Sequence, residues 1–355
     1  MSTYFDAKNG TTLKLLRAVR NTRSRSPLAS PNEFQQIGIG DPISIALKTV
    51  YAGDYKNDLF GGKKDMLVCS SVKLPHLVSK GAKCVNQIYT NVAERQALSP
   101  EAGNEGTPII YYSPSFVAEG LMLTVEFKFD NYNPELLNKV GAAFGAAAGL
   151  PLVAPASGAF LLAGMGLKVI NPILNSLFDK GPSWLKFNFG LVFESGGMHP
   201  IEAGIYLIGN ETDLSQGEFE DFEIEVSPSL SNLCRLKRKG TGEGTGQAAE
   251  YYSGSKPYGI IAIDGREDEQ LSDFAGALAS AEVLEKFFGV RAAGAFNEDV
   301  KNILHLSNDY YFQLQIKKLK SQLEKTTEGS DEYKTLMEKI EAYRKNLQGE
   351  VFKGV

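Results

Sequence analysis

The sequence predicts an α+β chain. Its body is a mainly antiparallel β-sandwich over residues 42–285, with an apolar helical hairpin inserted at 134–178 and a second helical hairpin near the C-terminus. Three observations lead there. Short β-branched or aromatic runs recur between Gly, Pro, Asn and Asp without helical periods between them. One stretch of 28 residues, from Val140 to Leu167, holds no charge. Toward the C-terminus apolar residues return every three or four positions.

Composition sets the frame. The 355 residues carry 37 Lys+Arg against 42 Asp+Glu, a formal net charge of −5, with 43% hydrophobic residues. These are globular values, which exclude a disordered or fibrous chain. The mild acidity supplies no general attraction to nucleic acid, and none is expected as a partner. The three cysteines, Cys69, Cys84 and Cys234, form no CxxC and read as reduced thiols of a cytoplasmic protein. The opening MSTYFDAKNG lacks the apolar region of a secretory signal.

Residues 1–41 read as a basic arm and linker. Lys14, Arg17 and Arg20 lie in an acid-free run over 7–32, and Leu13, Leu15, Leu16 and Val19 would line one side of a short helix. Such a helix suits an anionic membrane surface, or packs on the same chain or a neighbour. The strands begin at Ile43, where Ile43, Ile45 and Leu47 alternate with Ser44, Ala46 and Lys48. MLVCSSVKL follows, then Ile109–Tyr112, Leu121–Phe129, Trp184–Phe193, Ile201–Ile208, Phe219–Val226 and Tyr258–Ile263. Strands at this spacing without helices between them argue for a sandwich.

The uncharged stretch breaks that pattern. Gly141, Gly145 and Gly149 recur at four, a small-residue face that lets helices approach closely. Pro151 and Pro155 divide the run into two short helices joined by the LPLVAP turn. Leu152, Val153, Phe160, Leu161 and Leu162 would then lead a membrane insertion, sheltered until a trigger releases them. About 20 apolar residues span a bilayer. The same stretch would equally serve as a buried helical cover for the sheet, or as an oligomer contact.

Residues 236–256 read as a Gly/Thr/Ser-rich loop opened by Arg235, Lys237, Arg238 and Lys239, a basic contact for a membrane or partner. Residues 286–355 read as helical. Ile316, Leu319 and Leu323 face Leu336, Ile340 and Leu347 in a hairpin over 308–348, with Gly329 as a stop and Ser330 as an N-cap. Such a hairpin needs a docking surface on the chain or a partner protein.

Asp54 and Asp58 follow the first strand, and Asp264, Asp268 and Asp273 follow the last. Carboxylates of two loops at one end of a sandwich suit calcium, which takes six to eight oxygen ligands. ISIALKTVYAGDYKNDLFGGKKDMLV and GIIAIDGREDEQLSDFAGALAS resemble the first and third loops of a C2 domain with their flanking strands. The resemblance implies a calcium-dependent, phospholipid-binding sandwich in which those five aspartates are ligands. Two departures stand against it. The sandwich is far longer than a usual C2 domain, and Asp58-Leu59-Phe60 stands where that family has Asp-Pro-Tyr.

The sequence lacks G-x-S-x-G, a P-loop and H-E-x-x-H, and no catalytic residue is assigned. Two non-enzymatic functions follow. One is membrane targeting, as a pore-forming or membrane-disrupting bacterial effector with calcium-responsive loops, cytoplasmic until it associates with a membrane. The other is assembly into a homo-oligomer through the arm, the apolar hairpin and the helical tail.

Overall fold

The computed structural model describes residues 3–6, 11–14, 37–55, 62–73, 82–100, 105–117, 120–146, 152–154, 160–162, 168–170, 185–192, 203–226, 234–265, 267–268, 271, 298–347 and 349, a few single positions excepted. They form mostly antiparallel sheets and three helices, a mixed α+β architecture.

The first sheet follows the order β1 (Thr3–Asp6), β2 (Thr11–Lys14), β14 (Gly204–Gly209), β17 (Tyr258–Asp264), β3 (Ile43–Tyr51), β6 (Ala97–Leu98). β8 (Ile109–Ser113) also pairs with β3. The second sheet runs β12 (Lys168–Ile170), β11 (Phe160–Leu162), β10 (Leu152–Ala154), β5 (Ala82–Val92), β4 (Lys64–Lys73), β9 (Gly120–Asp130), β13 (Leu185–Val192). β7 (Glu105–Gly106) joins β5. A two-stranded ribbon, β15 (Phe222–Val226) and β16 (Cys234–Arg238), stands apart.

Alternation explains how the two sheets meet. Ile43, Ile45 and Leu47 of β3 and Ile261 and Ile263 of β17 share one core with Met66 and Val68 of β4 and Leu123, Val125 and Phe127 of β9. The opposite face of the first sheet is covered too. Tyr51, Leu207, Tyr258 and Ile260 pack there with Phe222, Ile224, Cys234 and Leu236 of the ribbon. Thr49 pins this third layer. Its hydroxyl donates to the Cys234 carbonyl (2.5 Å) and accepts from the Cys234 amide (3.2 Å).

Three readings need correction. β5 is a full central strand that the sequence reading passed over. Its polar Asn86, Gln87 and Thr90 blur the apolar alternation, although Asn86 and Gln87 are buried. The basic residues at 235–238 belong to strand β16, not to a loop, because β15 offers them a partner along its length. At the amino end Thr11–Lys14 is a strand rather than the start of a helix, and Lys14 pairs with Leu207.

The insertion differs most. α1 (Pro134–Ala146) is a helix. Asn133 accepts from the Glu135 amide (2.8 Å) ahead of it, Pro134 suits the first helical position, and Val140 and Phe144 are buried. The second predicted helix is absent among the described residues: Leu152–Ala154, Phe160–Leu162 and Lys168–Ile170 are short strands instead. Pro151 and Pro155 flank the first triplet in sequence, and proline removes helical donors. β5 pairs with Leu152–Ala154 along its side away from β4. Ala154, read from the sequence as a turn residue, ends β10 opposite Lys83.

The last two helices are α2 (Glu298–Leu323) and α3 (Asp331–Lys345). Ser330 accepts from the Tyr333 amide as the N-cap, and Gly329 before it has φ +81°. Ile316, Ile340 and Leu347 are buried together, with Phe312, Leu319, Leu323 and Tyr343 against them. Leu336 is half-buried. The pair docks on the segments that precede β3 and follow β8: the Asn346 side-chain amide donates to the Ser115 carbonyl (2.8 Å), and Ala342 lies against Gly40.

The Thr49 clamp has a measurable consequence. Thr49→Val keeps the shape but leaves two buried backbone groups of Cys234 without this partner, at about 1–3 kcal/mol. Urea denaturation is expected to show that loss, with faster amide exchange at Cys234.

Candidate functional site

Among the described residues, the structure sets Asp54 apart from Asp264 and Asp268. β3 and β17 are antiparallel, with Tyr51 opposite Tyr258 and Ser44 opposite Asp264. Asp54 follows the Tyr51 end, whereas Asp264 lies six residues away along β17, about 20 Å at 3.3 Å per residue. Asp268 stays at the far end, where its amide donates to the Tyr112 hydroxyl (3.1 Å). Asp58 and Asp273 lie outside the described residues. No group of three or more His, Cys, Asp or Glu suited to a metal occurs among the described residues. Asp54 has a different partner: Arg95 grips it with Nε at 2.6 Å and Nη2 at 3.0 Å. That hydrogen bond holds its carboxyl below the ordinary range.

The predicted basic contact is largely neutralised within the chain. Lys237 bonds Glu225 (2.9 Å) and lies 3.5 Å from Glu223. Its pKa is raised, first by the Glu225 bond. Arg238 pairs with Glu250 (2.9 Å) and Asp221 (3.7 Å), and Lys239 donates to the Glu220 carbonyl. Arg235 and Lys239 have no carboxylate within ion-pair distance among the described residues; the Arg235 guanidinium sits 5.3 Å from the centre of the Tyr251 ring. Arg17 and Arg20 lie outside the described residues.

Of the insertion residues, Gly141 and Gly145 are in α1, and Gly149 lies outside the described residues. Leu152 and Val153 are in β10, and Phe160, Leu161 and Leu162 are in β11. No helix among the described residues is long and apolar enough to cross a membrane.

Two surfaces were missed by the sequence reading. The first is an aromatic cluster where β3 and β17 meet the ribbon. Tyr51 stacks on Tyr258 (centroids 4.8 Å apart), and Tyr252 meets both edge-on. Gly53 (φ +62°) turns the chain beside it, and a Cβ there would come within 2.5 Å of the Pro257 nitrogen. The Tyr51 hydroxyl donates to Gly254 (2.9 Å), and Tyr252 donates to Glu218 (2.8 Å). Burial pushes Tyr51 up to about 12 and also raises Tyr252 and Tyr258. These phenols hold their protons at neutral pH. The signal was the Tyr251-Tyr252 pair inside a Gly-rich run, together with Tyr51 and Tyr258 at strand ends.

The second surface is on α2. Leu306, Tyr310 and Leu314 are 47%, 58% and 46% exposed. Spaced at four, they form a stripe along one side of the helix. The helix begins at Glu298 rather than at the expected 308, and the stripe lies apart from the seam toward α3.

No family model matches the chain, and no curated protein matches it.

The tyrosine cluster sets an alkaline limit. A phenol whose pKa is raised on folding stabilises the fold fully below its unfolded value near 10, and that contribution is lost as pH rises through the folded value. Stability is therefore expected to fall from about pH 10 upward. Tyrosinate absorbance should show Tyr51, Tyr252 and Tyr258 ionising only above this, with unfolding. Ionisation near the ordinary value in a folded ribbon would contradict it.

Proposed function

We propose that this chain is a non-enzymatic assembly protein: a β-sandwich whose C-terminal helical hairpin joins a second copy of the chain. The carrying observation is the Leu306/Tyr310/Leu314 stripe. Monomeric surfaces carry single exposed apolar residues, whereas a row of them marks contact. The row reads Leu–Tyr–Leu in both directions. A two-fold axis through Tyr310 would set Leu306 of one copy against Leu314 of the other, the self-complementarity that an isologous pair requires. The stripe spans eight residues, about 12 Å of helix, too short to bury the roughly 1,200 Å² of a stable interface alone. The edge beyond β12, which pairs with no further described strand, would supply the remainder. Three buried free thiols suit a reducing, cytoplasmic setting.

Tyr310→Lys should leave melting within about 0.5 kcal/mol, because the residue is exposed. It should reduce self-association at least about tenfold, since a like charge would face itself across the axis. Light scattering decides: a parent that is monomeric at every concentration, or a variant that associates equally, overturns the proposal.

A second reading, membrane contact through a C2-like sandwich, is favoured by the uncharged segment. It pairs with the sheet through three-residue strands, and β10 meets β11 at one register pair, Val153 with Leu161. So short an edge costs little to detach. On this reading it approaches lipid as strands, without calcium and without a helical hairpin. Val153 and Cys84 are Cα partners. Antiparallel partners lie about 4.5–5.5 Å apart, within disulfide range. Val153→Cys, oxidised, should lock the segment and abolish dye leakage from anionic liposomes, and reductant should restore it. Leakage by the locked form, or none by the parent, ends this reading.

A further inference from the structure

We propose that the cavity between the end of β3, β16 and the 251–258 segment binds a small ligand bearing a carboxylate or phosphate beside a planar body. Its volume is about 410 Å³, and Tyr51, Gln96, Arg235, Tyr251 and Tyr252 are among its walls. That volume falls within the roughly 300–1,000 Å³ usual for small-molecule sites.

The chemistry of the lining selects the ligand. Several of its acceptors and donors are already engaged. Glu225, opposite Arg235 in register, binds Lys237 (2.9 Å) and the Tyr251 hydroxyl (2.8 Å). Arg95, on the rim, is held by Asp54. The Tyr51 and Tyr252 hydroxyls donate to Gly254 and Glu218. Two groups remain. The Nε of Arg235 is buried and has no hydrogen-bond partner among the described residues. Gln96 accepts from the Ala93 amide through Oε1 (2.9 Å), which leaves its NH₂ to donate.

Both remaining groups are donors, and one is a guanidinium. An unpaired buried donor has lost its water without gaining a partner, so an acceptor there restores the missing bond. Guanidinium pairs best with a carboxylate or phosphate, through two parallel bonds. The tyrosine walls add flat apolar surface beside the anion, and Arg235 already lies over one ring, Tyr251. A planar body on the ligand would extend that stack.

The test is calorimetric titration of the full chain with phenyl phosphate, benzoate and inorganic phosphate as probes. Saturable binding of phenyl phosphate or benzoate is expected, weakened at least about tenfold in Arg235→Gln and also in Arg235→Lys, which keeps charge but loses the fork. The melting temperatures should match the parent, because Arg235 makes no ion pair among the described residues. Tyr251→Leu should weaken the aromatic probes and leave inorganic phosphate unchanged. Absence of saturable heat with either aromatic probe at millimolar concentration overturns the proposal, as does equal binding by folded Arg235 variants. Inorganic phosphate binding as tightly as phenyl phosphate would remove the planar body from it.

Discussion

The pairing of β3 with β17 is the constraint on which the rest depends. Both strands are covered on two faces, one by the second sheet and the other by the ribbon. Their register therefore sets two cores at once. A slip of one residue would exchange Ile45 and Leu47 with Ser44 and Lys48 in the first core and dislodge Thr49 and Tyr51 from the second. The irregularity between Ile260 and Ile261 fits this demand: the register skips Lys48 of β3, and that extra residue shifts the alternation so that Leu47 and Val50 both face the first core while Thr49 and Tyr51 face the second. The same antiparallel register separates Asp54 from Asp264, so it also rules on the chemistry at the strand ends.

The ribbon shows how a basic run loses its long-range character. Arg235, Lys237 and Arg238 share a strand with acids opposite and beside them, and two of the three have carboxylate partners. Neutralised pairs attract neither membrane nor polyanion over distance, because opposite charges a few ångströms apart cancel within a Debye length. What survives is local: one guanidinium over the Tyr251 ring, with one buried nitrogen unengaged among the described residues. A field-based contact is replaced by a directional one.

The helical tail and the uncharged segment share a different logic. Each buries one side and leaves something over. α2 and α3 bury Ile316, Ile340 and Leu347 together, yet α2 is 26 residues long against 15 for α3. Its Leu306, Tyr310 and Leu314 stay exposed. The uncharged segment adds three short strands to a sheet edge. Both are places where a further chain or surface would gain contact at small cost to the fold.

Local patterns were legible in the sequence wherever one side chain period decided the outcome. The alternation of Ile43–Leu47 and of Leu121–Phe129 marked strands, Gly329-Ser330 marked the start of α3, and Ile316 and Ile340 marked a buried seam. Tertiary structure alone decided the rest. Leu152–Ala154 is apolar all round and has no period of its own, so pairing with β5, more than sixty residues earlier, made it a strand. Arg235–Arg238 could not announce that Glu223 and Glu225 lie across from them, nor could Asp54 announce Arg95. Charges act through space at a few ångströms, and only the folded register determines which ones are neighbours.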